Sequence, residues 1–178
     1  MRDILLEIAQ KSIEEGFGTV ENYSFDKNKY PYLFENGASF VTLTINGNLR
    51  GCIGSLVATT YLLDDIRKNA KAAAFSDPRF APLSQSEFEK VEIEVSLLSE
   101  PKFLEYKDIE DLKSKIKPYN DGIVLRLESY QATFLPQVWE QLPTFELFFS
   151  HLCQKAGMSE DCLLHHPQIY VYHVQKFK

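Results

Sequence analysis

Cysteine is scarce in this sequence, and its cysteines form no CxxC pair. The three are Cys52, Cys153 and Cys162 in a chain of 178 residues. An odd number of cysteines without paired spacing does not indicate a framework of disulfides. The sequence therefore predicts a reduced protein of the cytoplasm.

Long apolar runs and a secretion signal are also missing. No uninterrupted apolar run approaches the roughly 20 residues that a membrane-spanning helix needs. Asp3 and Glu7 stand where a secretion signal would have its apolar core. We therefore expect a protein that does not enter a membrane.

An excess of positive charge is lacking as well. The chain has 19 Lys and Arg against 25 Asp and Glu, a formal net charge of −6, and no cluster of basic residues. This balance argues against binding to nucleic acid. No segment resembles a P-loop, a GxGxxG turn or an HExxH helix, so no cofactor is predicted. The histidines and cysteines of residues 151–166 fit no known metal spacing, so no metal site is predicted.

Helical and alternating apolar patterns are interspersed along the chain. Helical spacing occurs at residues 2–15, 59–75 and 144–156, and strand-like alternation at 40–45, 49–53, 91–97, 123–127 and 169–177. Residues 18–36 predict a long loop, and Ser84 to Glu87 resembles a capping box. The predicted class is α+β, with helices covering a largely antiparallel sheet in a single domain over residues 1–178.

Burial decides which way the side chains of the second strand point. A three-residue loop at Asn46-Gly47-Asn48 places Leu49 and Ile53 on the apolar face of the hairpin. Arg50 and Cys52 then lie on the opposite face. Glu94 is on the polar face of its own strand, where it either pairs with Arg50 or faces solvent.

Cys52 stands between two glycines, which is unusual inside a strand. Gly51 and Gly54 indicate a bulge or a close approach of another backbone. Beside Arg50, the Cys52 thiol is a candidate nucleophile. The alternative is that Cys52 is a small buried packing residue, as free cysteines often are.

Two further segments hold candidate ligand-binding residues. Arg79 lies between Pro78 and Pro82, which stiffen its loop. It is a candidate either to bind an anionic group or to stabilise the end of the preceding helix. Gln137 and Trp139 are candidates to line a pocket, although a lone tryptophan is more often part of the core.

Four segments occur together in the order typical of one protein family. They are LRGCIGS at 49–55, DPRFAPL at 77–83, EVSLLS at 94–99 and ATFLPQVWE at 132–140, with similarity continuing through 148–157. They resemble the AMMECR-type domain, which in prokaryotes is protein A of the AmmeMemoRadiSam system. The resemblance implies an α+β fold of two unequal subdomains around a cleft. Its matching positions give a set of site candidates, namely Arg50, Gly51, Cys52, Gly54 and Arg79, with Gln137 and Trp139 carried over more weakly.

The resemblance also implies association with a Memo-type protein and a radical S-adenosylmethionine protein, but no established reaction. The chain departs from the family pattern at residues 161–166. The roles of Cys162, His165 and His166 therefore stay open. We rank first a binding component for a small molecule, a peptide or a partner protein. The alternative is a thiol-dependent enzyme with Cys52 as nucleophile or redox residue, which would need a base beside the thiol.

Overall fold

The structure, a computed structural model, describes residues 1–19 and 23–178, so residues 20–22 of the predicted loop lie outside the described residues. The α-helices are α1 (Arg2–Gly16), α2 (Leu62–Phe75), α3 (Gln85–Phe88), α4 (Ile109–Lys115) and α5 (Phe145–Lys155). The strands are β1 (Asn36–Ile45), β2 (Asn48–Gly54), β3 (Thr60–Tyr61), β4 (Glu92–Leu98), β5 (Lys102–Leu104), β6 (Gly122–Leu127), β7 (Tyr130–Phe134), β8 (Gln168–Tyr172) and β9 (Val174–Phe177). Short 3₁₀ helices occur at Pro31–Phe34, Pro136–Glu140 and Cys162–His165.

The chain forms two compact units, each with helices and an antiparallel sheet. The first unit contains Met1–Leu98 and Gln175–Lys178, and the second contains Ser99–Val174. The predicted α+β class is therefore confirmed. No helix of the described residues is long and apolar enough to cross a membrane.

The sheet of the first unit has the strand order β2-β1-β4-β9, with β3 paired to the start of β1. Helices α1 and α2 supply the apolar partners of one sheet face. Their core positions include Ile8 and Ile66, which are packed with Leu43 and Val95 of the sheet. An apolar stripe at helical spacing is what lets each helix bury one side against the strands.

The β1–β2 hairpin turns more tightly than the sequence predicts. Ile45 is opposite Asn48, so the loop has two residues, Asn46 and Gly47. Their φ angles of 51° and 76° are those that a two-residue type I′ turn requires. The predicted three-residue loop is therefore wrong.

A bulge in β2 shifts the alternation of its side chains by one residue, which the two-residue loop does not do. Leu43 is opposite Gly51 while Thr44 is opposite Leu49, which leaves Arg50 as the extra residue. Cys52 is consequently opposite Thr42, on the face that was predicted. Leu49 lies before the bulge and is exposed, so its predicted place on the apolar face is wrong.

The second unit has a four-stranded antiparallel sheet of order β5-β8-β6-β7, packed with α5. Trp139 is 0% exposed in this core. Its indole stacks on Phe148 with ring centroids 3.7 Å apart, and its Nε1 donates to the carbonyl of Asp121 at 2.9 Å. Because the ring is fully covered, Trp139 takes the core position and not the pocket wall, the other alternative for this residue. Gln137 is exposed in the same 3₁₀ helix.

Cys153 and Cys162 form a disulfide, and Cys52 is the free cysteine. The prediction of a fully reduced chain is therefore wrong. Cys153 lies in the last turn of α5, and Cys162 begins the 3₁₀ helix that follows. Their Cα atoms are 5.7 Å apart, within the usual range for a disulfide. Sequence spacing did not reveal that these two segments lie side by side.

Candidate functional site

The two glycines around Cys52 allow other groups to approach β2 closely. A side chain at Gly51 would overlap the backbone carbonyl oxygen of Ala73 in α2. A side chain at Gly54 would overlap the ring of Phe40 on the neighbouring strand. The expected close approach is therefore present, and both glycines serve packing within the first unit.

Arg50, the bulge residue, forms a two-pronged ion pair with Glu87. Its Nε and Nη2 donate to the two carboxylate oxygens at 2.9 and 3.0 Å, and Nη2 also donates to the carbonyl of Ala81 at 2.9 Å. Glu94, the candidate partner of Arg50, is instead paired with Lys178 and Lys176. Arg50 is the extra residue of the bulge, a position at which a strand commonly redirects a side chain.

Glu87 also belongs to the predicted capping box, which is confirmed. The Ser84 hydroxyl accepts from the backbone N–H of Glu87, and the carboxylate of Glu87 accepts from the backbone N–H of Ser84. The Arg50 guanidinium and these Ser84 bonds lower the pKa of Glu87 to about 2. One carboxylate thus closes the first turn of α3 and fixes Arg50.

The backbone of Cys52 is held by the loop that follows α2. Its N–H donates to Oδ2 of Asp77 at 2.9 Å, and its carbonyl accepts from Nη2 of Arg79 at 3.1 Å. Arg79 is itself bound to Asp77 through Nε at 3.0 Å and Nη2 at 2.7 Å. Asp77 and Arg79 therefore satisfy the outward-facing groups of Cys52 as a neighbouring strand would.

Asp77 is the buried centre of this arrangement, with its side chain 2% exposed. The Arg79 guanidinium, together with the N–H groups of Cys52 and Arg79, holds the pKa of the Asp77 carboxyl well below its usual range. The ring of Phe80 lies 5.7 Å from the Arg50 guanidinium and 5.6 Å from that of Arg79. Each of the two candidate arginines is neutralised by a carboxylate of its own unit.

A second buried carboxylate anchors the segment after β2. Asp65 of α2 accepts from the hydroxyl of Ser55 at 2.5 Å. Its other oxygen accepts from the N–H of Ser39 at 2.8 Å, from the hydroxyl of Ser39 at 2.7 Å and from Nδ2 of Asn69 at 3.0 Å. Asp65 and Asn69 are not among the residues that the sequence singled out. The signal was present, because both interrupt the apolar inner face of α2 at a spacing of four residues.

Cys52, Thr42 and Glu94 form a row across three neighbouring strands, which we call the Cys52 face. Thr42 of β1 is opposite Cys52 on one side and Glu94 on the other. The Thr42 hydroxyl lies 3.3 Å from the Cys52 sulfur, and the thiol is half-buried. The row places a thiol, a hydroxyl and a carboxylate on the sheet face opposite the side chains that pack with α1 and α2.

Acid should weaken the loops that hold β2. Glu87 and Asp77 have lower pKa values in the folded protein than their ordinary values of 4.5 and 3.8. Their contribution to stability is therefore fully present above about pH 5 and is lost as the pH falls through the folded-state pKa. For Glu87 this loss runs from about pH 4.5 down to about 2.

We expect the urea midpoint of wild type to fall over this pH range more steeply than that of Glu87→Gln. Glu89→Gln, an exposed neighbour, is the control and should follow wild type. Equal slopes for wild type and Glu87→Gln would contradict the assignment.

The family of the chain follows from comparison with known proteins. The AMMECR1 family model matches residues 6–177. A protein of Sulfolobus acidocaldarius is 39% identical over 170 residues, covering 90% of this chain and 73% of that protein. Protein SSO0193 of Saccharolobus solfataricus is 38% identical over 171 residues, with the same coverage.

A solved structure has the same fold. The crystal structure of uncharacterized protein PH0010 from Pyrococcus horikoshii matches with a TM-score of 0.79 and 31% sequence identity. The match covers 98% of this chain and 89% of that one. Together with the family model, these similarities show that the chain belongs to the AMMECR1 family.

Proposed function

We propose that this chain is a binding component that presents the Cys52 face to a small molecule, a peptide or a partner protein. The observation that carries the proposal is the way in which neighbouring side chains hold the backbone of Cys52. Its N–H and carbonyl are both fixed by side chains, while its thiol is half-buried beside the Thr42 hydroxyl. Fixing the backbone of a surface in advance lowers the entropy that binding costs.

The surroundings of the thiol favour binding over nucleophilic catalysis. Among the residues that the structure describes, the hydrogen-bond partner of the Cys52 sulfur is the hydroxyl of Thr42. A hydroxyl does not serve as the general base that an activated cysteine needs. The carboxylate of Glu94, next in the row, is paired with Lys178 and Lys176.

The pairing of the two arginines near Cys52 favours a ligand without a strong negative charge. The guanidinium of Arg50 is paired with Glu87, and that of Arg79 with Asp77. An anionic ligand would have to compete with these internal carboxylates. Recognition by hydrogen bonds of the Cys52 face, as for a peptide segment, requires no such exchange.

As partners we propose the Memo-type and radical S-adenosylmethionine proteins that the sequence resemblance implies. The test is isothermal titration calorimetry of the purified chain with each partner protein from the same genome. Thr42→Arg places a long charged side chain in the middle of the Cys52 face and should weaken binding at least tenfold. Cys52→Ser keeps a hydrogen-bonding group of similar size on this half-buried side chain and should bind within about threefold of wild type.

Lys68→Ala, an exposed change on α2, is the control and should leave binding unchanged. Circular dichroism verifies that each variant is folded. Absence of heat with both partner proteins would reject the proposed partners. Wild-type affinity of a folded Thr42→Arg protein would reject the Cys52 face as the binding surface.

The thiol enzyme remains the second candidate, because Cys52 is both rigidly held and free. It is tested by the rate of iodoacetamide alkylation against pH, with Cys153 and Cys162 left in their disulfide. A rate that reaches its plateau below pH 7 would favour the enzyme. A thiol that reacts only after unfolding would identify Cys52 as a packing residue and reject the enzyme.

A further inference from the structure

The second unit has a cavity whose lining residues all belong to that unit. It has a volume of about 460 Å³ and is bordered on one side by Leu127, Glu128 and Tyr130 of the β6–β7 hairpin. Its other side is the segment after α5, including Met158 and Cys162. The size is within the usual range of small-molecule sites.

The disulfide fixes the second side of this cavity. Cys153 and Cys162 close a loop that contains Met158 and Ser159. Within the loop, the N–H of Met158 donates to the carbonyl of Cys153 at 3.0 Å, and the N–H of Cys162 donates to that of Ser159 at 3.1 Å. A covalent link with internal hydrogen bonds keeps this wall in place before any ligand arrives.

The first side presents an aromatic ring beside a carboxylate. Leu127 and Tyr130 are paired across the hairpin, and the turn between them begins at Glu128 with φ of 53°. The ring of Tyr130 is 46% exposed and lies 3.8 Å from the place where Gly157 would carry a Cβ atom. The ring therefore lies against the disulfide-closed loop at Gly157, and both residues border the cavity.

Two carboxylates lie at the cavity, and the imidazole of His165 also lines it. Glu128 lines it, and Asp161 is in the adjoining loop, where its carboxylate accepts from the Ser159 hydroxyl at 2.5 Å. This hydrogen bond holds the pKa of Asp161 below its usual value. The lining residues that the structure describes include no lysine or arginine.

We propose that this cavity binds a small organic cation with an apolar body, such as a quaternary ammonium compound. An aromatic face, a polarisable thioether and a nearby carboxylate are the groups that bind such cations, and Tyr130, Met158 and Glu128 supply them. The proposal also gives Cys162 a role that the sequence left open, namely fixing one wall of the site.

The test uses choline and its uncharged isostere 3,3-dimethylbutan-1-ol as probes. Each is titrated into ¹⁵N-labelled protein with the disulfide intact, and amide shifts are followed by NMR. We expect choline to shift amides at 127–130 and 157–165, with an affinity about two- to fivefold above that of the alcohol. A cation–π contact at a partly exposed site is worth about 0.5–1 kcal/mol, or roughly two- to fivefold.

Variants separate the contributions of the two walls. Glu128→Gln keeps the shape of the side chain and should weaken choline binding about threefold, with little effect on the alcohol. Glu140→Gln, an exposed change elsewhere in the unit, is the matched control. The double variant Cys153→Ser/Cys162→Ser should weaken both probes. If it does not fold, Glu128→Gln and the neutral probe still decide the question.

Three results would overturn the proposal. They are the absence of choline shifts at 127–130 and 157–165, equal affinity for choline and the alcohol, and a Glu128→Gln protein that binds choline as wild type does. None of them bears on the Cys52 face, which is tested with different probes and variants.

Discussion

Replacing Gly51 by alanine is expected to lower the free energy of unfolding by about 3 kcal/mol or more, the upper part of the range for overpacking. The added methyl group would overlap the carbonyl oxygen of Ala73, which belongs to the backbone of α2. A backbone cannot rotate away as a side chain can, so β2 and α2 would have to separate. Urea unfolding followed by circular dichroism measures the loss.

Two changes on the same strand calibrate the effect of Gly51→Ala. Gly54→Ala meets the ring of Phe40, which is a side chain and has some freedom to move, so its cost should be smaller. Leu49→Ala is at an exposed position and should change stability by about 0.5 kcal/mol or less. A Gly51→Ala protein as stable as Leu49→Ala would show that β2 does not pack on α2 as described.

Asp65→Ala is expected to destabilise the first unit by about 3–5 kcal/mol, as removal of a buried charged hydrogen-bonding partner does. Four hydrogen bonds converge on this carboxylate. Its loss leaves the backbone N–H of Ser39 buried without an acceptor, and leaves Ser55 with Asn69 as its remaining hydrogen-bond partner on α2. The same urea experiment measures the effect.

The adjacent aspartate provides a matched control. Asp64 has the same residue type on the same helix, but its side chain is 59% exposed and lies 3.9 Å from Arg67. Asp64→Ala should therefore cost about 1 kcal/mol or less. Asp65→Asn should lie between the two, because its amide keeps one acceptor oxygen. Similar losses for Asp64→Ala and Asp65→Ala would contradict the buried cluster.

These predictions concern the side chains that hold β2 in place at several points. Glu87 fixes Arg50 before Cys52, Asp77 fixes the backbone of Cys52, and Asp65 fixes Ser55 after it. Three carboxylates thus hold the segment that carries the family motif. We infer that the motif places the Cys52 face accurately, which is the property that the proposed binding function requires.

Local features of this chain were predictable from its sequence. The α+β class, the capping box at Ser84 and the common face of Thr42 and Cys52 followed from apolar periodicity, turn chemistry and burial. The predicted face of Cys52 was right, although the predicted length of the loop before it was wrong. Burial determines which face a side chain occupies, and either a longer loop or a bulge can bring it there. The four family segments indicated the AMMECR1 family, which the family model shows.

The tertiary structure decided which distant residues meet. Arg50 pairs with a residue 37 positions away, and the N–H of Cys52 binds a carboxylate 25 positions away. The disulfide, the burial of Trp139 and the cluster around Asp65 likewise depend on which segments become neighbours. Periodicity and turn preferences act between residues close in sequence, so the sequence by itself determined the elements and the family. Ion pairs, covalent links and burial act between residues close in space, so only the folded chain determined the site.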